Sequence, residues 1–191
     1  MSGKQAKVLS ETDFNQLLLF ASRTRSPLRN HVIVLLSAKA GLRAGEIAAL
    51  TWDMLADAQG RVGRVIELRD CAAKKGSGRL IPIHPELRDA LAAWRLSSVN
   101  SKYVVRSERG GQMTPLSIVV WFNRAFQKVG LKGCSSHSGR RTFITRAARL
   151  VHKAGGSLRD VQLLAGHRSI QTTQGYIDGD SDAQRKLVSL I

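Results

Sequence analysis

The chain is poor in several features that would define other protein classes. It has only two cysteines, Cys71 and Cys134, far apart and without the spacing of a metal site. That excludes a disulfide-stapled scaffold and a zinc module, and both are expected to be reduced core thiols. There is no G-x-x-x-x-G-K-[ST] loop and no acidic cluster suited to Mg²⁺, so no cofactor and no metal site are assigned. The longest apolar runs, around Leu17–Ala21 and Val32–Leu36, are far short of the roughly 20 residues that span a bilayer. No charged-then-apolar segment opens the chain. No membrane partner is therefore expected, and the expected location is cytoplasmic. Repeats, low-complexity tracts and an interdomain linker are also lacking.

Acidic residues are scarce too. Against 30 Lys and Arg stand 14 Asp and Glu, a net charge of +16. Between Ser101 and Tyr176 there are 13 basic residues and two acids, Glu108 and Asp160. Such an excess points to a polyanionic partner. Arg outnumbers Lys by 20 to 10, which suits bidentate contacts to phosphate. On charge alone, a general nucleic-acid binder explains the composition. The hydrophobic fraction of 43% is too high for a disordered chain, and 191 residues suffice for one packed domain.

The pattern along the chain predicts a mainly α fold with a small antiparallel β-sheet (α+β). Residues 1–8 read as a polar tail. Ser10 and Asp13 form an S-x-x-D capping signal before Phe14, Leu17, Leu18 and Ala21 at helical spacing. A second helix is expected from Pro27 to before Gly41, and a short third from Ala44 to about Leu50. Val65–Leu68 and Arg79–Ile83 flank a Gly-containing turn and predict a hairpin, with Pro82 on an edge. Helical spacing resumes at Glu86, and Tyr103–Val105 is a candidate short strand. After Pro115 the chain reads as helical, with breaks near Gly130–Gly133, Gly155–Gly156 and Gly166.

Several short segments can carry chemistry, although each has an ordinary explanation when taken alone. His137-Ser138-Gly139-Arg140 opens a helix and places His137 and Arg140 on one face, near an anion-favouring N-terminus. Arg43 starts a helix after a glycine break. Glu46, one turn on, is placed to orient its guanidinium, or else forms an exposed ion pair worth under about 1 kcal/mol. Lys74-Lys75-Gly76-Ser77-Gly78-Arg79 fills the hairpin turn, with a lysine held over a bound backbone or the whole as a solvated basic guard of the sheet edge. Gly166 ends a helix and leaves the His167 imidazole free to reach outward. Tyr176 follows nine residues later, one of only two tyrosines.

The order Arg43, Lys74, His137-x-x-Arg140, His167, Tyr176 resembles the signature of the tyrosine recombinases, the phage integrase family. Gly41-Leu42-Arg43-Ala44-Gly45-Glu46 resembles its G-x-R-x-x-E box. Gly166-His167 followed by Thr172-Thr173-Gln174 and Tyr176 resembles its G-H-x(5)-T-x(3)-Y box. The resemblance runs from about Val8 to Tyr176. It implies the catalytic-domain fold of that family over residues 9–191, as in short members that lack an N-terminal DNA-clamping domain. Residues 178–191 would form a tail helix that docks on its own domain or on a neighbouring protomer.

The resemblance also implies a mechanism for site-specific recombination, whether integration, excision or inversion. Tyr176 would attack a DNA phosphate and form a 3′-phosphotyrosyl link. Arg43, Arg140 and His167 would stabilise the charged transition state, with Glu46 in support. His137 would help remove the phenolic proton. Lys74, with Lys75 as its alternative, would protonate the leaving 5′-oxygen. The implied partners are double-stranded DNA, further copies of the chain on that DNA, and accessory DNA-bending proteins. Further DNA contacts are expected at Lys75, Arg124, Lys128, Arg141 and Arg168. A type IB topoisomerase-like activity and a non-cleaving DNA-binding regulator are the alternatives.

Overall fold

The computed structural model describes residues 6–73, 76–97, 101–177, 188, 189 and 191. Helix α1 (Glu11–Ser22) begins at a reciprocal cap. The Ser10 hydroxyl accepts from the Asp13 amide at 3.1 Å, and the Asp13 carboxylate accepts from the Ser10 amide at 3.0 Å. Helix α2 (Pro27–Lys39) has proline in its first turn and buries Val32 through Ala38 without a break. A helix that is apolar all round belongs at the centre. Accordingly α1, α4 (Pro85–Leu96) and α6 (Ser138–Leu150) all pack against it.

Between these elements lie α3 (Ala44–Ala49) and a two-stranded antiparallel sheet of β1 (Val65–Leu68) and β2 (Arg79–Pro82). The register pairs Val65 with Pro82 and Leu68 with Arg79. Side chains alternate across the pleat, so Arg79 shares the inward side of β2 with buried Ile81. Helix α5 (Pro115–Lys128) packs on α3 and α1. After α6 come a 3-10 turn (Val151–Ala154), α7 (Leu158–Ala165) and α8 (Ile170–Gln174). The fold is mainly helical with a small antiparallel sheet, as the sequence pattern predicts.

Some expectations need correction. Tyr103–Val105 is not a strand: Tyr103 makes one isolated bridge with Thr51. The Val104 amide bonds to the Leu50 carbonyl, and the chain then turns back at Ser107–Gly111 before a ladder can grow. The cysteines are free thiols; Cys134 packs against the larger apolar core, whereas Cys71 does not. Cys71 is exposed in the turn after β1, and Cys134 is half-buried. Among the described residues, no helix is long and apolar enough to cross a membrane. The tail helix expected over 178–191 falls largely outside the described residues.

Two apolar clusters form among the described residues. The larger is built mainly on α1 to α5. The smaller joins Ile144, Ala148, Val151, Val161 and Ala165 of α6 and α7, with Phe143, Leu158 and Tyr176 packed on its side. Helix α6 stands between them, and the cleft described next opens where they meet.

Candidate active site

Arg43, His137, Arg140, Arg141, His167 and Tyr176 line one open cleft of about 560 Å³. Each reaches it from a helix end. Arg43 is the cap of α3, and His137 is the cap of α6 with Arg140 and Arg141 in its first turns. His167 follows the Gly166 cap of α7, and Tyr176 follows the Gly175 cap of α8. Two helix N-termini, of α3 and α6, thus meet the turns that follow α7 and α8 at a common space, and the N-termini favour an anion there.

Arg140 is the deepest of these, 4% exposed. Its Nη1 donates to the Gly41 carbonyl at 2.6 Å and its Nη2 to the Ala165 carbonyl at 2.7 Å. Burial, then the nearby charges of Arg43 and Arg79, lowers its pKa to about 10, so it stays cationic at neutral pH. Gly41 makes this contact possible. Its φ of +65° turns its carbonyl inward, and the Phe143 ring occupies the space a Cβ would need.

His167 does not reach outward as expected. Its Nε2 lies 3.1 Å from Arg140 Nη2, and its Nδ1 lies 2.9 Å from the Thr173 hydroxyl. Burial, then the charges of Arg140, Arg43 and Arg79, depresses its pKa to about 4. Its backbone carbonyl accepts from buried Gln162 at 2.9 Å, which pins the turn. The Tyr176 ring stacks on the imidazole with centroids 5.4 Å apart. The Arg141 guanidinium lies 5.5 Å from the Tyr176 ring centre, within cation–π range. Tyr176 therefore has an apolar floor and a cationic flank.

Glu46 is not part of an exposed pair. It is 1% exposed and lies under Arg43. Its carboxylate accepts from Arg43 Nη1 at 2.7 Å and from the Arg43 amide at 2.9 Å. It also accepts both terminal nitrogens of Arg79, at 3.1 and 3.0 Å. Burial alone would raise its pKa, but the Arg79 and Arg43 contacts outweigh that and hold it below the ordinary carboxylate range.

The other expected residues are placed differently. Arg124 and Lys128 are on the exposed side of α5 and do not line the cleft. Arg168 is exposed beside His167. Lys74 and Lys75 lie outside the described residues. Sequence reasoning placed Arg79 in the basic hairpin segment but gave neither it nor Thr173 a role of its own. The usable signal for Arg79 was its alternation with Ile81 along β2. No metal-holding group of His, Cys, Asp or Glu occurs among the described residues.

Residues 7–182 match the phage integrase family. The chain is 29% identical over 182 residues to tyrosine recombinase XerC of Actinobacillus pleuropneumoniae, covering 92% of this chain and 55% of that protein. It is 32% identical to tyrosine recombinase XerA of Thermococcus kodakarensis over 174 residues, 89% of this chain and 57% of the relative. It thus spans about half the length of the curated relatives it matches. Among solved structures, a XerA recombinase superposes with a TM-score of 0.76 at 26% identity, covering 96% of this chain and 64% of that one. A lambda integrase dimer bound to a COC′ core site shares the fold, with a TM-score of 0.73 at 18% identity over 93% of this chain and 49% of that one. The chain belongs to the phage integrase, or tyrosine recombinase, family and corresponds to its catalytic domain.

Proposed function

We propose that this domain cleaves and rejoins duplex DNA at specific sites through a transient bond between Tyr176 and a 3′-phosphate. One observation carries the reading: Arg43, Arg140, His167 and Tyr176 converge on a single cleft from four separate elements. The cleft holds more cationic charge than its one buried carboxylate, Glu46, balances. A phosphodiester supplies the missing anion.

In this reading the scissile phosphate sits between Arg43 and Arg140. Each charge-assisted contact contributes roughly 1.5–3 kcal/mol. The Tyr176 oxygen attacks phosphorus, the phenolic proton passes to His137, and the bond to the 5′-oxygen breaks. Lys74 donates a proton to that leaving oxygen, a role taken from the family resemblance. Religation is the reverse, with the new 5′-hydroxyl expelling Tyr176. The phosphotyrosyl ester conserves the bond, so neither step needs ATP. Exchange between sites requires a second copy on the DNA, as in the DNA-bound lambda integrase dimer that shares the fold.

The test is covalent capture. The chain is incubated with sheared genomic DNA of its source, denatured, and assayed for protein that stays attached. An adduct that Tyr176→Phe abolishes is the expected result, and sequencing the captured DNA locates the site. An adduct that persists in Tyr176→Phe would assign the nucleophile elsewhere. No adduct with the unaltered chain would remove the cleavage reading. Relaxation of supercoiled DNA without exchange of ends would assign the same chemistry to a topoisomerase-like activity.

A further inference from the structure

Arg79 lies under the cleft and does not line it. Its side chain is 6% exposed, and its Nε, Nη1 and Nη2 are all engaged, by the Leu164 carbonyl and the two Glu46 oxygens. We propose that Arg79 is a positioning residue of the Tyr176 site: through Glu46 it fixes the guanidinium of Arg43, and through the Leu164 carbonyl it fixes the turn that carries His167. The reaction it serves is the DNA cleavage argued above.

Two sets of contacts carry this. In the first, both terminal nitrogens of Arg79 meet both oxygens of Glu46, at 3.1 and 3.0 Å. That fork removes the rotation a carboxylate would otherwise keep. The same two oxygens hold the Arg43 side chain and amide. Helix α3, which carries Glu46, is only six residues long, too short to hold its own shape without such an anchor. The aim of Arg43 therefore depends on a strand residue 33 positions from Glu46 in sequence.

In the second, Arg79 Nε donates to the Leu164 carbonyl at 2.9 Å. Arg140 takes the next carbonyl, Ala165, at 2.7 Å. Two arginines from different elements thus cap the last carbonyls of α7, where cations are favoured. His167 follows two residues later. Gly166 gives Arg79 its path, because a Cβ there would come within 2.9 Å of Nη1. Arg43, Arg140 and His167 are all coupled to one another through this buried framework.

Three full-length variants test the inference. Arg79→Met keeps the stem and removes the fork. Arg79→Lys keeps the charge but cannot span Glu46 and Leu164 together. Leu87→Ala, in the core of α4, serves as a stability control. The first measurement is amide hydrogen exchange of the DNA-free chains. Arg79→Met should speed exchange around residues 43–46 and 164–167 by about tenfold or more while α2 keeps its protection. Unchanged exchange in both segments overturns the proposal, whether or not the protein cleaves DNA.

The second measurement is adduct formation on sheared genomic DNA at a temperature where all variants are folded. Arg79→Met should lower the maximal rate about 100-fold while the half-saturating DNA concentration moves less than about threefold. Arg79→Lys should regain much of the thermal stability but under about a tenth of the rate. If Leu87→Ala loses as much rate as Arg79→Met at matched stability, Arg79 only holds the fold and the proposal fails. If the unaltered chain forms no adduct, the cleavage reading fails, and the exchange data still decide whether Arg79 holds the two segments.

Discussion

His167 Nε2 lies 3.1 Å from Arg140 Nη2. A guanidinium only donates, so the imidazole must present a lone pair at Nε2. Its proton is then on Nδ1 and points at the Thr173 hydroxyl, 2.9 Å away. In the absence of DNA, His167 is a neutral imidazole of defined tautomer that braces Arg140.

A pH dependence of stability follows. The folded pKa is depressed to about 4 from 6.5, by burial first and then by Arg140, Arg43 and Arg79. Between those values the unfolded chain binds the proton and the folded chain does not. Stability is full above pH 6.5 and is lost as pH falls toward 4. The part due to His167 amounts to about 1–3 kcal/mol after allowance for its partial exposure. His31 shifts in the same direction through burial, so the total loss has a second source. Comparing denaturant unfolding of the unaltered chain with His167→Gln isolates the first. The two curves should run parallel above pH 6.5 and converge or cross below it; parallel curves throughout would rule out a depressed His167 pKa.

Thr173 holds the other side of that ring and is fully buried. Thr173→Val keeps the shape and removes the acceptor, leaving the Nδ1 proton unpaired. The expected cost is about 1–3 kcal/mol, with a further drop in adduct rate as the imidazole loses its fixed angle. Thr173→Ser should restore both. A valine variant with unaltered stability and rate would show that the hydroxyl does not set the ring.

Replacing Glu46 should be severe, because its partners are buried with it. Glu46→Gln leaves Arg79 without a counter-charge at 6% exposure and sets an amide NH₂ against it. Removing one partner of such a pair costs about 3–5 kcal/mol. Thermal or denaturant midpoints measure this directly. A loss under about 1 kcal/mol would mean that the pair behaves as an exposed one.

Much of this was legible in the sequence because it is local. The Ser10–Asp13 cap, the proline at the start of α2 and the glycine that ends α7 are signals within a few residues. The order of Arg43, Arg140, His167 and Tyr176 was legible through the family boxes. Arg79 was not, since its partners lie 33 and 85 positions away and only the packed strand brings them together. For the same reason the sequence could not separate a buried Glu46 from an exposed one, or an inward His167 from an outward one. Tyr103–Val105 misled because buried apolar residues carry the same pattern whether they pair in a ladder or pack in a loop.

Gly41 shows how tightly the backbone behind the cleft is specified. Its φ is +65°, where an L-residue with a Cβ costs about 1–2 kcal/mol. A Cβ there would also press into the Phe143 ring, reaching Cε1 at 2.9 Å. Phe143 packs on the small cluster that also carries Tyr176, so it cannot retreat without disturbing the floor beneath that side chain. Overpacking of this kind adds about 1–3 kcal/mol. Gly41→Ala should therefore lower stability by about 2–5 kcal/mol, the sum of the two terms. It should also turn the Gly41 carbonyl away from Arg140 and reduce adduct formation in molecules that remain folded. Gly45, exposed and with nothing within 4 Å of its Cβ position, is the matched control. Gly45→Ala lies inside α3 and should be neutral or stabilising by up to about 1 kcal/mol. Equal effects of the two substitutions on denaturant midpoint and adduct rate would show that Gly41 has no special part in holding Arg140.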